Sequence, residues 1–284
     1  MEGARRADRV AGILAGLATA VLFAFVLLPI VAIFLRVPPS ELLAQLRSPA
    51  TRAALGVSLR STVIALVLIV AFGTPAAYVL ATKRFRGAAV LTTVLELPLV
   101  LPPAVAGLGL FAAFGRFGLL GAPLRALGIQ LTFTPVAVVM ALAFVSLPFY
   151  TRQAVAAFAS MDHQLLGASR TLGAGEARTF FRVAVPLARQ GLVAGAALAW
   201  ARALGEFGAT ILFAGSLRGV TQTLPLAIYD QFSGGNFDGA LAISALLVVV
   251  SAGLFVGMRV LVQTRRTGDD APWIERSRSS SVTV

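Results

Sequence analysis

The chain has 284 residues, of which 58% are hydrophobic and only 13% charged, with a formal net charge of +12. Soluble domains carry about a quarter charged residues, so this composition excludes a water-soluble globule, and the high apolar content excludes a disordered chain. A polytopic membrane protein remains. Cysteine is absent, which excludes disulfides, thiolate chemistry and cysteine–metal sites.

Six apolar segments are each long enough to cross a bilayer, which needs about 20 residues. Between flanking charges they cover 10–35, 61–82, 87–115, 126–151, 190–217 and 239–258. A helix satisfies its own backbone in lipid, and these segments lack the alternation of barrel strands. The sequence therefore predicts an all-α polytopic membrane protein with six transmembrane helices. The first is too long for the apolar part of a cleaved signal peptide.

Basic residues are divided unevenly between the two sides of this topology. Sixteen lie on the side of the termini and of the second and fourth connections, and seven lie on the other. Because positive loops stay in the cytoplasm, both termini are predicted to be cytoplasmic. We expect 1–9 to be a cytoplasmic N-terminus, 10–262 the transmembrane domain, and 263–284 a disordered cytoplasmic tail. Dispersal of the basic residues over two faces argues against nucleic-acid binding.

The third span contains helix breakers and one acid. Pro98, Pro102 and Pro103 interrupt it, and Glu96 lies towards its cytoplasmic end. Proline frees a backbone carbonyl, and irregular backbone at membrane depth survives only where it is buried or lines water. One interpretation is a bent helix that lines a pathway. The other is a tolerated kink, with Glu96 reaching the interface or capping a broken helix.

The fourth connection, residues 152–190, is the longest and predicts two short helices. Asp162 can cap the first at its N-terminus, and Gly173 suits its C-terminal end. An apolar stripe follows the first helix at Met161, Leu165, Ala168 and Leu172. The second helix begins at Gly175 and Glu176, carries Phe180 and Phe181, and is closed by Pro186. This pattern indicates docking, either on a partner or on the protein's own helix ends.

The fifth span contains two opposite charges, Arg202 and Glu206. An intramembrane charge costs about 2.5–3.5 kcal/mol even on insertion scales. Four residues apart on one helix face, the two can pair and reduce each other's cost. Either this face borders a solvated path, or the pair is a structural contact between packed helices.

Residues 167–186 resemble the EAA loop of the permease subunits of bacterial ABC importers, E-A-A-x3-G-x9-I-x-L-P. Ala168, Gly173 and Pro186 match by identity, whereas glycine replaces the family glutamate at position 167. The segment Ala201–Tyr229, ARALGEFGATILFAGSLRGVTQTLPLAIY, looks like the molybdate-type permeases of the molybdate and sulfate group, as does the third-span run LPLVLPPAVAGLGL. Sulfate permeases tend to carry tyrosine where Phe207 stands, which favours molybdate.

The resemblance implies a type I ABC-importer permease fold, present as a homodimer in the bacterial cytoplasmic membrane. It also implies two cytosolic ATPase subunits that grip a coupling loop at 158–190, and an extracytoplasmic oxyanion-binding protein. No cofactor would bind this chain directly, because ATP and Mg²⁺ belong to the ATPase partner. The residues expected to couple to the ATPase are Asp162, Leu165, Gly167, Ala168, Ser169, Leu172, Gly173, Phe180, Phe181 and Pro186. Those expected on the translocation path or gate are Arg202, Glu206, Phe207, Thr210, Glu96, Pro102 and Pro103.

The chain is not expected to be an enzyme by itself. A Walker A loop needs glycine before its lysine, and the single lysine, Lys83, follows Thr82. An intramembrane serine hydrolase would need a nucleophilic serine and a histidine base. This chain has no GxSxG motif and no histidine within the predicted spans. Alternatives that stay open are a permease for sulfate, thiosulfate or another anion, a passive channel, and a secondary transporter that uses Glu96 or Glu206 as a proton relay. Tungstate is not distinguished from molybdate.

Overall fold

The computed structural model describes residues 2–83 and 85–263, and all the regular elements within them are helical. The helices are α1 (Glu2–Arg36), α2 (Pro39–Arg47), α3 (Pro49–Thr82), α4 (Ala88–Val100), α5 (Pro103–Phe114), α6 (Gly121–Ala126), α7 (Pro135–Ala159), α8 (His163–Thr171), α9 (Glu176–Thr179), α10 (Val185–Leu204), α11 (Gly208–Ala214), α12 (Leu224–Ser233) and α13 (Phe237–Gln263), with a π-helical turn at Phe180–Ala184. The predicted all-α class is confirmed. Residues 264–284 of the predicted tail lie outside the described residues.

Five helical stretches are long and apolar enough to cross a membrane. They are Ala11–Arg36, Pro49–Thr82, Pro135–Ala159, the continuous helix Glu176–Leu204, and Phe237–Leu254. Helices α4 and α5 together pass the same test but are bent by 116° at the break between them. The predicted six crossings are obtained when this bent pair forms one of them, and the predicted break in the third span is confirmed.

Three predicted spans start at clearly different residues in the structure. The second is the helix Pro49–Thr82 rather than 61–82. The fourth is the helix Pro135–Ala159 rather than 126–151, because the Thr134 hydroxyl accepts the Ala137 N–H at 3.3 Å and starts the helix there. Arg152 therefore lies inside α7 rather than at its end. The fifth begins at Glu176 and ends at Leu204, where the prediction gave 190–217.

Helices α3, α7 and α10 form the centre of the bundle and cross closely at Tyr150 of α7. A Cβ added to Gly73 of α3 would lie 2.9 Å from Tyr150 Cδ1, and one added to Gly195 of α10 would lie 3.3 Å from Tyr150 Cδ2. The Tyr150 hydroxyl is 2.5 Å from the Thr74 hydroxyl. Glycine on both sides thus lets two helices approach the ring of a third.

Helix α1 lies at the edge of the bundle. Its large apolar side chains are largely exposed, as for Phe25 at 76% and Val21 at 67%. In a membrane protein such a surface is covered by lipid, so exposure here carries no penalty.

Candidate functional site

Helix α8 is built as its sequence predicts. The Asp162 carboxylate accepts the Gln164 N–H at 2.8 Å and caps the helix at its N-terminus. Gly173 follows the C-terminal end with φ of +83°, a left-handed conformation that favours glycine. Its N–H donates to the Arg170 carbonyl, and the Ala174 N–H donates to the Ser169 carbonyl at 3.1 Å. Local capping therefore fixes the length of α8.

The predicted apolar stripe of α8 does not face a single environment, because one of its four residues is buried and three are exposed. Met161 is buried, as is Leu166, and these two residues attach the segment to the bundle. Leu165 and Leu172 are exposed instead, at 47% and 87%. Together with the exposed Gly167 and Ala168 they form what we call the α8 outer face, comprising Leu165, Gly167, Ala168 and Leu172. This face points away from the protein's own helices.

An aromatic cluster attaches the segment after α8 to the membrane helices. The Phe180 ring lies 5.0 Å from that of Tyr78 and 6.4 Å from that of Phe158. The Ser169 and Thr179 hydroxyls are 3.1 Å apart and join α8 to α9. The Phe181 ring packs edge-on against that of Phe180 at 4.8 Å but is 68% exposed, so it forms the outer margin of the cluster.

Pro186 does not end a helix, contrary to the prediction. The helix continues from Glu176 to Leu204 through the π-helical turn Phe180–Ala184, in which the Val185 N–H donates to the Phe180 carbonyl. Pro186 is in the first turn of α10, where a missing N–H costs little. The π-helical turn lies directly before the proline and accommodates it within a continuous helix.

One ion pair in this region was not predicted. Lys83, the residue after α3, places its ammonium 2.7 Å from the carboxylate of Glu176 at the start of α9. Both side chains are substantially exposed, at 43% and 72%, so solvent screens the pair and it contributes little to stability. It joins two connections at the same end of the bundle as the α8 outer face. The only sequence signal was an opposite charge on each connection.

Two broken helices meet in the folded chain. One break separates α4 from α5 at Leu101 and Pro102, and the other separates α10 from α11 at residues 205–207. A Cβ on Gly208 would lie 2.9 Å from Pro103 Cβ. A Cβ on Gly107 would lie 2.8 Å from the Ala209 carbonyl oxygen, so α5 and α11 are in close contact. Pro103 is therefore packed against Gly208, which follows Glu206 by two positions in the chain.

The predicted pairing of Arg202 with Glu206 is present, but not on one helix face. Helix α10 ends at Leu204, and Glu206 lies in the break after it. Its carboxylate accepts from Arg202 Nη2 at 2.6 Å and from the Ala209 N–H at 2.7 Å. Glu206 is 1% exposed, whereas the Arg202 side chain is 26% exposed. Glu206 therefore holds the first turn of α11 and neutralises the arginine.

The remaining predicted path residues lie in two places. Phe207 stacks at 5.1 Å on Tyr229 of α12, and Thr210 is fully buried in α11 with no hydrogen-bond partner for its hydroxyl. Glu96 instead pairs with Arg152 of α7 at 3.3 Å, beside a cavity of about 160 Å³ lined by both residues. Glu96 therefore forms an ion pair with another helix. It does not cap the break between α4 and α5, and it does not extend to the membrane interface as an unpaired charge. Among the described residues no group of three or more acids or histidines could hold a metal.

The comparison with known proteins agrees with this architecture. The family described as binding-protein-dependent transport system inner membrane component matches residues 70–267. The molybdenum transport system permease protein ModB of Mycobacterium tuberculosis is 45% identical over 236 residues, covering 82% of this chain and 88% of the relative. The protein of that name from Escherichia coli K12 is 41% identical over 199 residues, covering 68% and 87%.

The same architecture occurs in a bacterial alginate ABC transporter, solved in complex with an alginate pentasaccharide-bound periplasmic protein. One chain of it superposes with a TM-score of 0.74, covering 93% of this chain and 96% of that chain. The sequence identity is 15%, so this likeness shows the fold alone. The resemblance found in the sequence is thereby confirmed. The chain belongs to the binding-protein-dependent transport system inner membrane component family, and is a multi-pass membrane permease subunit rather than an enzyme.

Proposed function

We propose that this chain is the membrane-spanning subunit of an ATP-driven importer that carries molybdate across the bacterial cytoplasmic membrane. The observation that supports molybdate as the substrate is the 45% identity to a molybdenum transport permease over 82% of the chain. Phe207, which the sequence resemblance associates with molybdate rather than sulfate, lies beside the break that contains Glu206. Tungstate shares the tetrahedral dianion chemistry and is expected to compete.

The α8 outer face is the proposed contact with a cytosolic ATPase. Leu165 and Leu172 expose large apolar side chains on a short, well-capped helix and its C-cap, and Phe181 is a further exposed apolar side chain of the same connection. Exposed apolar patches of this kind mark interaction sites. A Cβ on Gly167 would meet no atom within 4 Å, so the absent family glutamate leaves open space for the partner. ATP and Mg²⁺ would bind to the two ATPase subunits, not to this chain.

The meeting of the two broken helices is the proposed translocation path. Irregular backbone at membrane depth is tolerated where it is buried or lines a water-filled route. Pro102 and Pro103 are exposed on the surface of the single chain, and Arg202 keeps part of its guanidinium accessible. We infer that a second copy of the chain covers this surface. One partly neutralised arginine per copy would attract a dianion without holding it, which conduction requires.

A secondary transporter is less well supported by the same geometry. A proton relay needs a carboxylate whose oxygens are accessible to water or to another acid. Both Glu206 oxygens are already engaged by Arg202 and the Ala209 N–H, and Glu96 is paired with Arg152. Glu206 therefore presents no accessible oxygen to such a relay, and the charge of Glu96 is already balanced by an arginine.

Uptake of radiolabelled molybdate in a strain without its own high-affinity system tests the function. The chain is expressed together with the ATPase and binding-protein subunits proposed for it, and we expect uptake that ATP depletion abolishes and a protonophore leaves intact. A protonophore-sensitive, ATP-independent uptake would establish the secondary transporter instead. Uptake suppressed by a large excess of sulfate but not of tungstate would assign the sulfate class.

The docking role of the α8 outer face predicts the effect of Leu172→Asp. Leu172 is 87% exposed, so the substitution should leave folding intact and yet place a desolvated charge in the interface. We expect retention of the ATPase on the purified permease to fall by about tenfold or more, as for a central interface residue. Leu119→Asp is the matched control, because Leu119 is equally exposed at 87% but lies between α5 and α6. Equal retention by both variants would remove α8 from the interface.

A further inference from the structure

One cavity of the protein is unrelated to the path and to the α8 outer face. It has a volume of about 310 Å³ and lies among residues 114–132, between the end of α5 and the start of α7. Helix α7 separates it from α8, because the cavity precedes the first residue of α7 and α8 follows its last. The 25 residues of α7 extend for about 37 Å, which is enough to span a bilayer. The cavity and α8 therefore lie at opposite membrane faces.

Two arginines give the cavity a positive charge. Arg116 and Arg125 both line it, and none of the described residues in its lining is acidic. Arg125 Nη1 donates to the Arg116 carbonyl, which holds one guanidinium at the wall. The Arg116 guanidinium lies 5.8 Å from the centre of the Phe117 ring, which shields one of its faces. The remaining donors are available for an anion.

The wall of the cavity is a rigid loop. The Leu119 and Leu120 N–H groups donate back to the carbonyls of Ala112 and Ala113 at 2.9 and 2.8 Å. Gly121 is packed so closely that a Cβ there would lie 2.6 Å from the Gly115 carbonyl. A binding surface that is already fixed loses little conformational entropy when its partner arrives.

Two apolar side chains lie in the same loop as Arg116, outside the lining of the cavity, and we call them its rim. Phe117 is 91% exposed and Leu119 is 87% exposed, on a loop where no other described element covers them. Arginine and aromatic side chains together are the composition of protein-interface centres, whereas an isolated small-anion site needs no such rim. The cavity is also larger than one tetrahedral oxyanion requires.

We propose that this cavity receives an acidic side chain of the extracytoplasmic oxyanion-binding protein, with Arg116 and Arg125 as its carboxylate-binding residues and Phe117 and Leu119 as the apolar rim. The inference rests on the proposed function, which supplies such a partner and sets this face outside. Two guanidiniums can bind a carboxylate in a forked geometry that lysine does not reproduce. Delivery of substrate would then depend on the rigid outer loop as well as on the path.

Binding of the molybdate-loaded binding protein to the permease–ATPase complex in lipid nanodiscs tests the proposal. We expect Arg116→Ala to weaken docking by about tenfold, and Arg116→Glu with Arg125→Glu to abolish it, while basal ATP hydrolysis is unchanged. Arg116→Lys should recover only part of the affinity. Because Arg125 also braces the loop, the single Arg116 variants keep the result independent of folding.

Arg47→Ala is the matched control, since it removes one exposed positive charge predicted on the same face but outside the cavity. Equal weakening by Arg47→Ala and Arg116→Ala would mean attraction by overall charge and would overturn the proposal. Unchanged docking of the double glutamate variant would do so as well. If the unmodified complex binds no binding protein at all, the proposed function itself fails. Inhibition of docking by molybdate alone would assign the cavity to the free oxyanion instead.

Discussion

Replacing Glu206 by alanine is expected to produce the largest loss of stability of any single substitution considered for this protein. The change removes a fully buried carboxylate that bonds both Arg202 and the Ala209 N–H. Breaking a buried ion pair from one side costs roughly 3–5 kcal/mol, because the other charge stays in place without compensation. Since Arg202 keeps 26% of its side-chain surface, we expect about 3 kcal/mol, the low end of that range. Thermal unfolding in detergent and the amount of protein in the membrane measure the effect.

A double variant separates the structural role of this pair from a role in transport. Arg202→Met combined with Glu206→Gln removes both charges, and glutamine can still accept the Ala209 N–H. Replacing both members of a buried pair by uncharged residues is often neutral, so stability should recover to within about 1 kcal/mol of the parent. We expect molybdate uptake to remain low, because Arg202 would no longer attract the dianion. Full uptake by a stable double variant would show that the pair is only structural.

Capping and charge pairing along the chain were predictable from the sequence. Asp162 and Gly173 act within a few residues of their partners, so the residue types alone indicate where α8 begins and ends. The pairing of Arg202 with Glu206 was also visible, because two intramembrane charges so close together have few other ways to lower their cost. Even there the sequence suggested one continuous helix, and the break at residues 205–207 contains no proline that would indicate it.

The limits of the spans were less predictable, for a physical reason. Assigning span ends from charges assumes that every charge lies outside the membrane helix. Arg152 violates this assumption, because Glu96 of another helix pairs with it. The prediction that Pro186 ends a helix was also wrong. A π-helical turn before it and its position in the first turn of α10 make the proline compatible with a continuous helix. Both errors come from tertiary partners or local backbone that periodicity does not encode.

Contacts between distant segments gave little sequence signal. Lys83 meets Glu176 across 93 positions, and Thr74 meets Tyr150 across 76. The glycines on either side of Tyr150 are ordinary small residues in apolar runs, and only the fold shows that the ring of one helix fills the space they leave. The crossing of α3, α7 and α10 is therefore known from the structure alone, and it leads to a second strong prediction.

Gly73→Ala is expected to destabilise the protein although alanine favours helices. The new Cβ would lie 2.9 Å from Tyr150 Cδ1, and the ring cannot retreat, because Gly195 of α10 lies against its other side. Tyr150 is 1% exposed, and its hydroxyl is held by Thr74. Overpacking costs about 1–3 kcal/mol, which exceeds the gain of up to about 1 kcal/mol from replacing glycine in a helix. We expect a lower unfolding temperature in detergent.

Gly56→Ala provides the control, because Gly56 lies in the same helix and a Cβ there would meet no atom within 4 Å. It should leave the unfolding temperature unchanged or raise it, so that the two alanine variants of α3 shift in opposite directions. Tyr150→Phe should lower the free energy of unfolding by about 1 kcal/mol, the contribution of one hydrogen bond, and should therefore lower the unfolding temperature modestly. If Gly73→Ala and Gly56→Ala behave alike, the ring of Tyr150 is mobile, and the crossing is not held by close packing. If only Gly73→Ala is destabilising, close packing around the Tyr150 ring holds the three-helix crossing together.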